Sequence, residues 1–241
     1  MTQNSVPRTQ HPPLARTPLH EWHAAHGARF TECDGWQLPA CYSSAEREIE
    51  AARTGVGLAD LSGFAKISLV GSGIADVVAD LTGGMSAGKP GEVVVIDITS
   101  PVLACRLAED HLLLLALATN PIRLEKRLAE VSKAKAVVRH DVTTAFAAFA
   151  LVGPRAEALL VRLAALDISP SGLSPGTCAQ SGVAGVYAIL VRPPQSNPAS
   201  ILVHVAWDLA EFVWERLVEA SHDLDPVCLG TEAAIRATTR L

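Results

Sequence analysis

The chain reads as an α+β protein with largely antiparallel sheets. Short apolar runs bounded by turn residues recur along it, at a length that suits strands. Two of them, 92–98 and 102–107, are joined only by Thr99-Ser100-Pro101, a tight hairpin connection. Strand, helix and hairpin recur in both halves without the regular alternation of a parallel α/β sheet, and no short-period repeat suggests a solenoid.

Taken in order, residues 1–16 read as a disordered leader; Met1 to Pro13 is polar and proline-bearing and lacks the apolar centre of a secretory signal. Residues 18–28 read as a short helix, led by Pro18 and halted at Gly27, followed by a loop with Gly35, Trp36 and Pro39. Ser43 and Ser44 can cap a helix through Ala52, with Glu46 and Glu48 in the first turn, where the helix dipole favours acids. Residues 58–61 and 65–70 read as strands, the second alternating Ile67 and Leu69 against Lys66 and Ser68. A helix over 73–81, the hairpin, a buried strand over 111–118 and an amphipathic helix over 121–132 complete a first half, 17–140.

The second half, 141–241, opens with a strand over 145–152, a turn at Gly153-Pro154 and a helix over 155–165. Residues 168–185 are rich in Ser, Gly and Pro and read as a linker. Strands over 186–191 and 201–206 flank a proline-rich segment. A helix over 208–220 then presents Phe212, Val213, Leu217 and Val218 on one side.

Composition excludes several classes. With 241 residues, 49% hydrophobic and 19% charged, the chain can bury a sizeable core. A net charge of −5 is unlike the basic stripe of a nucleic-acid module, and no apolar run approaches the ~20 residues that cross a bilayer. The five cysteines are odd in number and scattered, with neither metal spacing nor a disulfide framework, and read as reduced thiols of a cytoplasmic protein. Cys105 and Cys178 lack a histidine partner and read as buried, inert thiols. His20, His23 and His26 share one helix, but their spacing turns off one face and no Asp or Cys nearby completes a shell, so they read as histidines of a surface helix and no metal site is expected. Gly71-Ser72-Gly73 and Gly55-Val56-Gly57 carry Asp76 and Asp60 where a dinucleotide fingerprint needs a third glycine, and no G-x-S-x-G elbow is present.

Four segments together resemble the aminomethyltransferase family, the glycine-cleavage T-protein and its folate-dependent relatives. They are 17–28 with Gly35-Trp36 and Tyr42-Ser43-Ser44; Arg53-Thr54-Gly55-Val56-Gly57-Leu58 with Asp60-Leu61-Ser62; Leu151-Val152-Gly153-Pro154-Arg155-Ala156; and Leu229-Gly230 with Ile235-Arg236. The resemblance implies two ferredoxin-like α/β halves framing a pterin pocket. It also implies that the family's C-terminal β-barrel is lacking, and that a homo-oligomeric or protein partner covers the surface the barrel would shield.

It further implies altered chemistry. The family's catalytic aspartate falls on Pro101, with Asp97 as a weak substitute one register shift away, so no catalytic residue is assigned. The folate-contacting asparagine falls on Leu117, the pterin-stacking tyrosine on Gln195, the pterin-binding glutamate on Leu202, and an arginine on Glu232. Arg192, Arg236 and Tyr42 remain as cofactor-binding candidates. A charged hydrogen-bond partner is worth ~1.5–3 kcal/mol and each ~1.4 kcal/mol is tenfold in affinity, so several such losses argue against tetrahydrofolate as a cofactor. The expectation is a diverged family member acting as a binding or accessory subunit, a pseudoenzyme of one-carbon or amine metabolism. The alternatives are a genuine tetrahydrofolate-dependent aminomethyltransferase and a gamma-like subunit of a sarcosine-oxidase-type complex.

Overall fold

The computed structural model describes residues 13–96, 102–116, 121–195 and 199–238. Strands β1 (Ala15–Arg16), β2 (Arg29–Cys33) and β3 (Trp36–Cys41) surround helix α1 (His20–Ala25) in the chain. Helix α2 (Ala45–Ala52) and strands β4 (Val56–Asp60) and β5 (Lys66–Val70) follow, then α3 (Ile74–Thr82), β6 (Val93–Val95), β7 (Val102–Ala108), β8 (His111–Ala116) and α4 (Pro121–Val131). The remainder is β9 (Val138–Asp141), β10 (Phe146–Val152), α5 (Ala156–Val161), β11 (Thr177–Val183), β12 (Val186–Arg192), β13 (Ser200–Ala206), α6 (Ala210–Ala220), β14 (Pro226–Leu229) and α7 (Thr231–Thr238).

These strands form a mixed α+β architecture of three sheets, ordered β1-β3-β2, β11-β12-β13-β10-β4-β14 and β6-β7-β8-β5-β9. Pairing is antiparallel except for β1 with β3 and β14 with β4. Sheet membership does not follow chain order: β4, from the first 140 residues, lies between β10 and β14.

The two larger sheets stack with helices on their outer faces. Successive strand residues point to opposite faces. Ala147, Phe149 and Leu151 of β10 therefore join Leu159, Leu160, Val213, Trp214 and Leu217 of the outer helices. Ala148, Ala150 and Val152 of the same strand meet Leu103, Cys105, Leu113 and Leu115 of the facing sheet. That sheet turns Val102, Ala104, Leu112 and Leu114 outward against Ile74, Val77 and Val78 of α3 and Leu128 of α4. Both faces are covered, which is why β7, β8 and β10 are nearly continuous apolar runs.

Several expectations need correction. Residues 29–41 are a hairpin, not a loop: Asp34 and Gly35 both hold positive φ (50° and 80°), as a two-residue type I′ turn requires, and β2 pairs with β3 on either side. The supposed linker contains β11, which pairs along all seven residues with β12, while Ile168 and Leu173 are buried in the core. The leader's last residues, Ala15 and Arg16, pair with Trp36 and Gln37. The first helix is shorter than its pattern, and it is not a surface helix: His23 is fully buried and His20 nearly so.

Candidate functional site

Three polar networks interrupt this apolar interior. The first lies between the two large sheets. Lys66 on β5 is 2% exposed, and its Nζ donates to the carbonyls of Ser62 (2.9 Å), Phe64 (3.0 Å) and Thr143 (3.4 Å). Three acceptors match the three protons of an ammonium. Burial pushes its pKa down to about 7, against the pull of Asp60 and Asp141. His204 on β13 is equally buried, its Nδ1 has no partner, and burial together with Lys66 lowers its pKa to about 3, so it is a neutral imidazole. Lys66, His204, Leu202, Phe64 and Leu115 line a cavity of about 10 Å³, roughly the room of one water.

The second network is a cleft of about 580 Å³ lined by Gly153, Pro154, Glu157, Arg192, Gln195 and Ile201. Gly153 turns the chain out of β10 with φ of 110°, and a Cβ there would lie 2.1 Å from the Ala52 carbonyl oxygen. Arg192 is buried at the end of β12, where Nη1 donates to Glu157 Oε1 (2.8 Å) and Nη2 to the Ile168 carbonyl (2.9 Å). These two bonds hold the guanidinium as a strap between β12 and α5, while its Nε is buried without a partner.

The third network joins the N-terminal elements to β4. His23 Nε2 lies 3.0 Å from Asp60 Oδ2, and the Tyr42 hydroxyl lies 2.6 Å from His23 Nδ1. Burial alone would raise the pKa of Asp60, yet hydrogen bonds from His23 and the Ser62 N–H hold it below the ordinary carboxylate range. With Asp60 ionised, His23 donates to it through Nε2, and the Tyr42 hydroxyl sits on the other ring nitrogen. Burial, then the neighbouring Cys228, Asp60 and Glu48, push the Tyr42 phenol well up. Next to it, the buried Glu48 carboxylate accepts from the backbone N–H groups of Tyr42 (2.7 Å), Ser43 (2.8 Å) and Gly230 (2.8 Å). Arg236 on α7 pairs with Glu46 (3.1 Å) and Glu232 (2.5 Å).

A family model described as the GCVT N-terminal domain matches residues 19–241. The chain belongs to that family. Among curated relatives, an aminomethyltransferase of Rubrobacter xylanophilus is 31% identical over 92% of this chain and 61% of its own length. One of Saccharopolyspora erythraea is 29% identical over 92% and 62%. The chain thus spans about three fifths of the relatives it matches. Among solved structures, the glycine cleavage system aminomethyltransferase T of Bartonella henselae superposes with a TM-score of 0.75 at 20% identity, over 92% of this chain and 62% of that one. A chain of the heterotetrameric sarcosine oxidase of Corynebacterium sp. U-96 superposes with a TM-score of 0.61 at 21% identity, over 79% of this chain and 96% of that one.

The GCVT N-terminal domain positions can now be located. Pro101, Asp97 and Leu117 lie outside the described residues. Leu202 is 1% exposed, in the apolar layer between the sheets. Gln195 is exposed at the rim of the Arg192 cleft. Glu232 is engaged one helical turn from Arg236. The remaining candidates do not converge: Arg192 is bound to Glu157, Arg236 to two glutamates, and Tyr42 to His23. Leu202 offers no carboxylate to the N–H groups of a pterin, and the cavity it lines is of one-water size, so these described residues do not fit that group.

The three helix histidines also diverge. His23 joins Asp60; His26 stacks on Trp22 at 3.7 Å and donates through Nδ1 to the Trp22 carbonyl; His20 packs on Phe30. Among the described residues no group of His, Cys, Asp or Glu is placed to hold a metal, and no helix is long and apolar enough to cross a membrane. The sequence reading missed the His23–Asp60–Tyr42 chain and the Glu48 hub. The available signals were a histidine on a helix's inner face and an acid beginning the Asp60-Leu61-Ser62 segment.

Proposed function

We propose that this GCVT N-terminal domain protein acts as a binding or accessory subunit in one-carbon or amine metabolism and does not itself catalyse aminomethyl transfer. The observation that carries this reading is the state of Leu202. It stands at the family's pterin-carboxylate position, buried in an apolar layer beside a cavity of about 10 Å³. Pro101 at the catalytic-aspartate position, which cannot carry a charge, points the same way.

The decisive experiment is a calorimetric titration of the full chain with tetrahydrofolate, run beside an assay of tetrahydrofolate-dependent ammonia release from an aminomethyl-loaded carrier protein. No saturable binding below millimolar ligand and release at background rate are expected. Micromolar binding, or release above background, overturns the reading.

A more specific role within this reading is that of a gamma-like subunit, supported by the superposition on a chain of a heterotetrameric sarcosine oxidase at a TM-score of 0.61. Co-purification with a flavin-containing oxidase from the native cell is its test, and a monodisperse monomer with no co-purifying protein counts against it.

A further inference from the structure

Cys105 and Cys178 are far apart in the chain and belong to different sheets, yet the fold lays one beside the other. Cys105 on β7 pairs with Val93 and turns its side chain into the layer between the sheets. Cys178 reaches the same place from β11: its N–H donates to the Gly91 carbonyl (2.7 Å), Thr177 bridges Glu92, and the Val93 N–H donates to the Gly176 carbonyl (2.8 Å). The Cys178 thiol lies 3.7 Å from the carbonyl oxygen of Arg106, the residue after Cys105, and 3.8 Å from that of Glu92. Both thiols are buried, in one apolar cluster, and all five cysteines are free.

We propose that Cys105 and Cys178 are a reversible disulfide site that, on oxidation by a peroxide, ties the five-stranded sheet to the edge of the six-stranded one. The two thiols are chemically unequal. A hydrogen bond from Cys105 holds the Cys178 thiol below its ordinary pKa, while burial and Cys178 itself hold Cys105 well above. Cys178 is therefore the attacking sulfur. Its thiolate attacks one peroxide oxygen and becomes a sulfenic acid; the released hydroxide takes up the thiol's proton as water. The Cys105 thiol then attacks the sulfenic sulfur, and its proton leaves with the hydroxyl as a second water. Two thiols lose two electrons and one peroxide gains them. Access comes from the edge: β11 is the outermost strand of its sheet, paired along its length with β12 on one side and held on the other only by isolated bridges to Glu92 and Ala164, so it is among the elements that open most readily. The remaining cysteines are elsewhere, with Cys33 and Cys41 in the N-terminal hairpin and Cys228 beside Tyr42.

The test uses the full chain, reduced and then exposed to a slight excess of hydrogen peroxide, followed by denaturation and alkylation with N-ethylmaleimide. The expected result is loss of two alkylatable thiols and the mass of two hydrogens, a Cys105–Cys178 peptide in a non-reducing digest, and restoration by dithiothreitol. The oxidised protein should melt about 5 °C or more above the reduced one, because the bond closes a long loop. In Cys105→Ser, Cys178 should stop at a sulfenic acid that dimedone traps. All thiols still alkylated, a crosslink through other cysteines, or sulfinic acid at Cys178 of the wild-type chain without a crosslink would each overturn the site. A crosslinked protein that melts no higher would overturn the tie between sheets.

Discussion

Lys66 shows how one side chain can set the pH response of a fold. Its pKa is about 7 in the folded chain and returns to the ordinary lysine value on unfolding. Between those values the unfolded state binds the extra proton, so stability rises with pH from about 7 to about 10, by up to ~1.4 kcal/mol per unit. Below pH 7 both states are charged and the slope from this residue vanishes. Urea unfolding at pH 7.0, 8.0 and 9.0 should show that rise in the wild type, and Lys66→Met should flatten it. His204 acts in the acid range with the same sign, since its folded pKa of about 3 lies below the unfolded one: stability is lost as pH falls from about 6.5 toward 3. At Gly153 the constraint is steric. An alanine there combines a φ of 110° with a 2.1 Å approach to the Ala52 oxygen, so Gly153→Ala should cost about 2 kcal/mol or more in the same assay.

At the scale of elements, Glu48 joins three pieces that are distant in sequence. Its carboxylate receives two N–H groups from the end of β3 and one from Gly230, just before α7, while its own backbone sits in α2. Small residues let these elements close on one another: Ala52, Ala233, Ala234 and Ala237 are all buried in the layer they share. In Glu48→Gln one carboxylate oxygen becomes an N–H donor facing a backbone donor, so about 2 kcal/mol of stability should be lost, with faster hydrogen exchange at Gly230 and the first turn of α7. Equal exchange in variant and wild type would show that α7 is held by its alanine face alone. Arg192 has the corresponding place on the other side, where it straps β12 to α5 through Glu157.

Over the whole molecule, the layers are held by a few large side chains. Trp214 is wholly buried and meets Phe149 (5.3 Å), Trp22 (5.2 Å) and His23 (5.7 Å), joining α6, β10 and α1. Trp214→Ala should cost roughly 3–5 kcal/mol. Trp214→Phe should cost much less, because the indole N–H has no partner and its loss leaves no orphan group. Thermal unfolding of the two variants checks the ordering.

Much of this was legible in the chain alone. Strands β5, β7, β8, β10, β12 and β13 announce themselves as apolar runs of strand length, and α2 by its Ser44 cap, because burial on one or both faces writes its period into the sequence. The family could likewise be identified from its turn segments. Where an element draws its stability from a neighbour, the local pattern fails. β11 has little apolar signal because it is an edge strand fixed by β12, and β3 holds Pro39 yet is a strand because Asp34-Gly35 folds it onto β2. The linkages across long separations were decided only by the tertiary structure: His23 with Asp60, Lys66 with Thr143, Glu48 with Gly230 and Cys178 with Arg106. Periodicity reports which face of an element is buried, but which polar groups meet there is set by the register and stacking of whole sheets, a property no single segment carries.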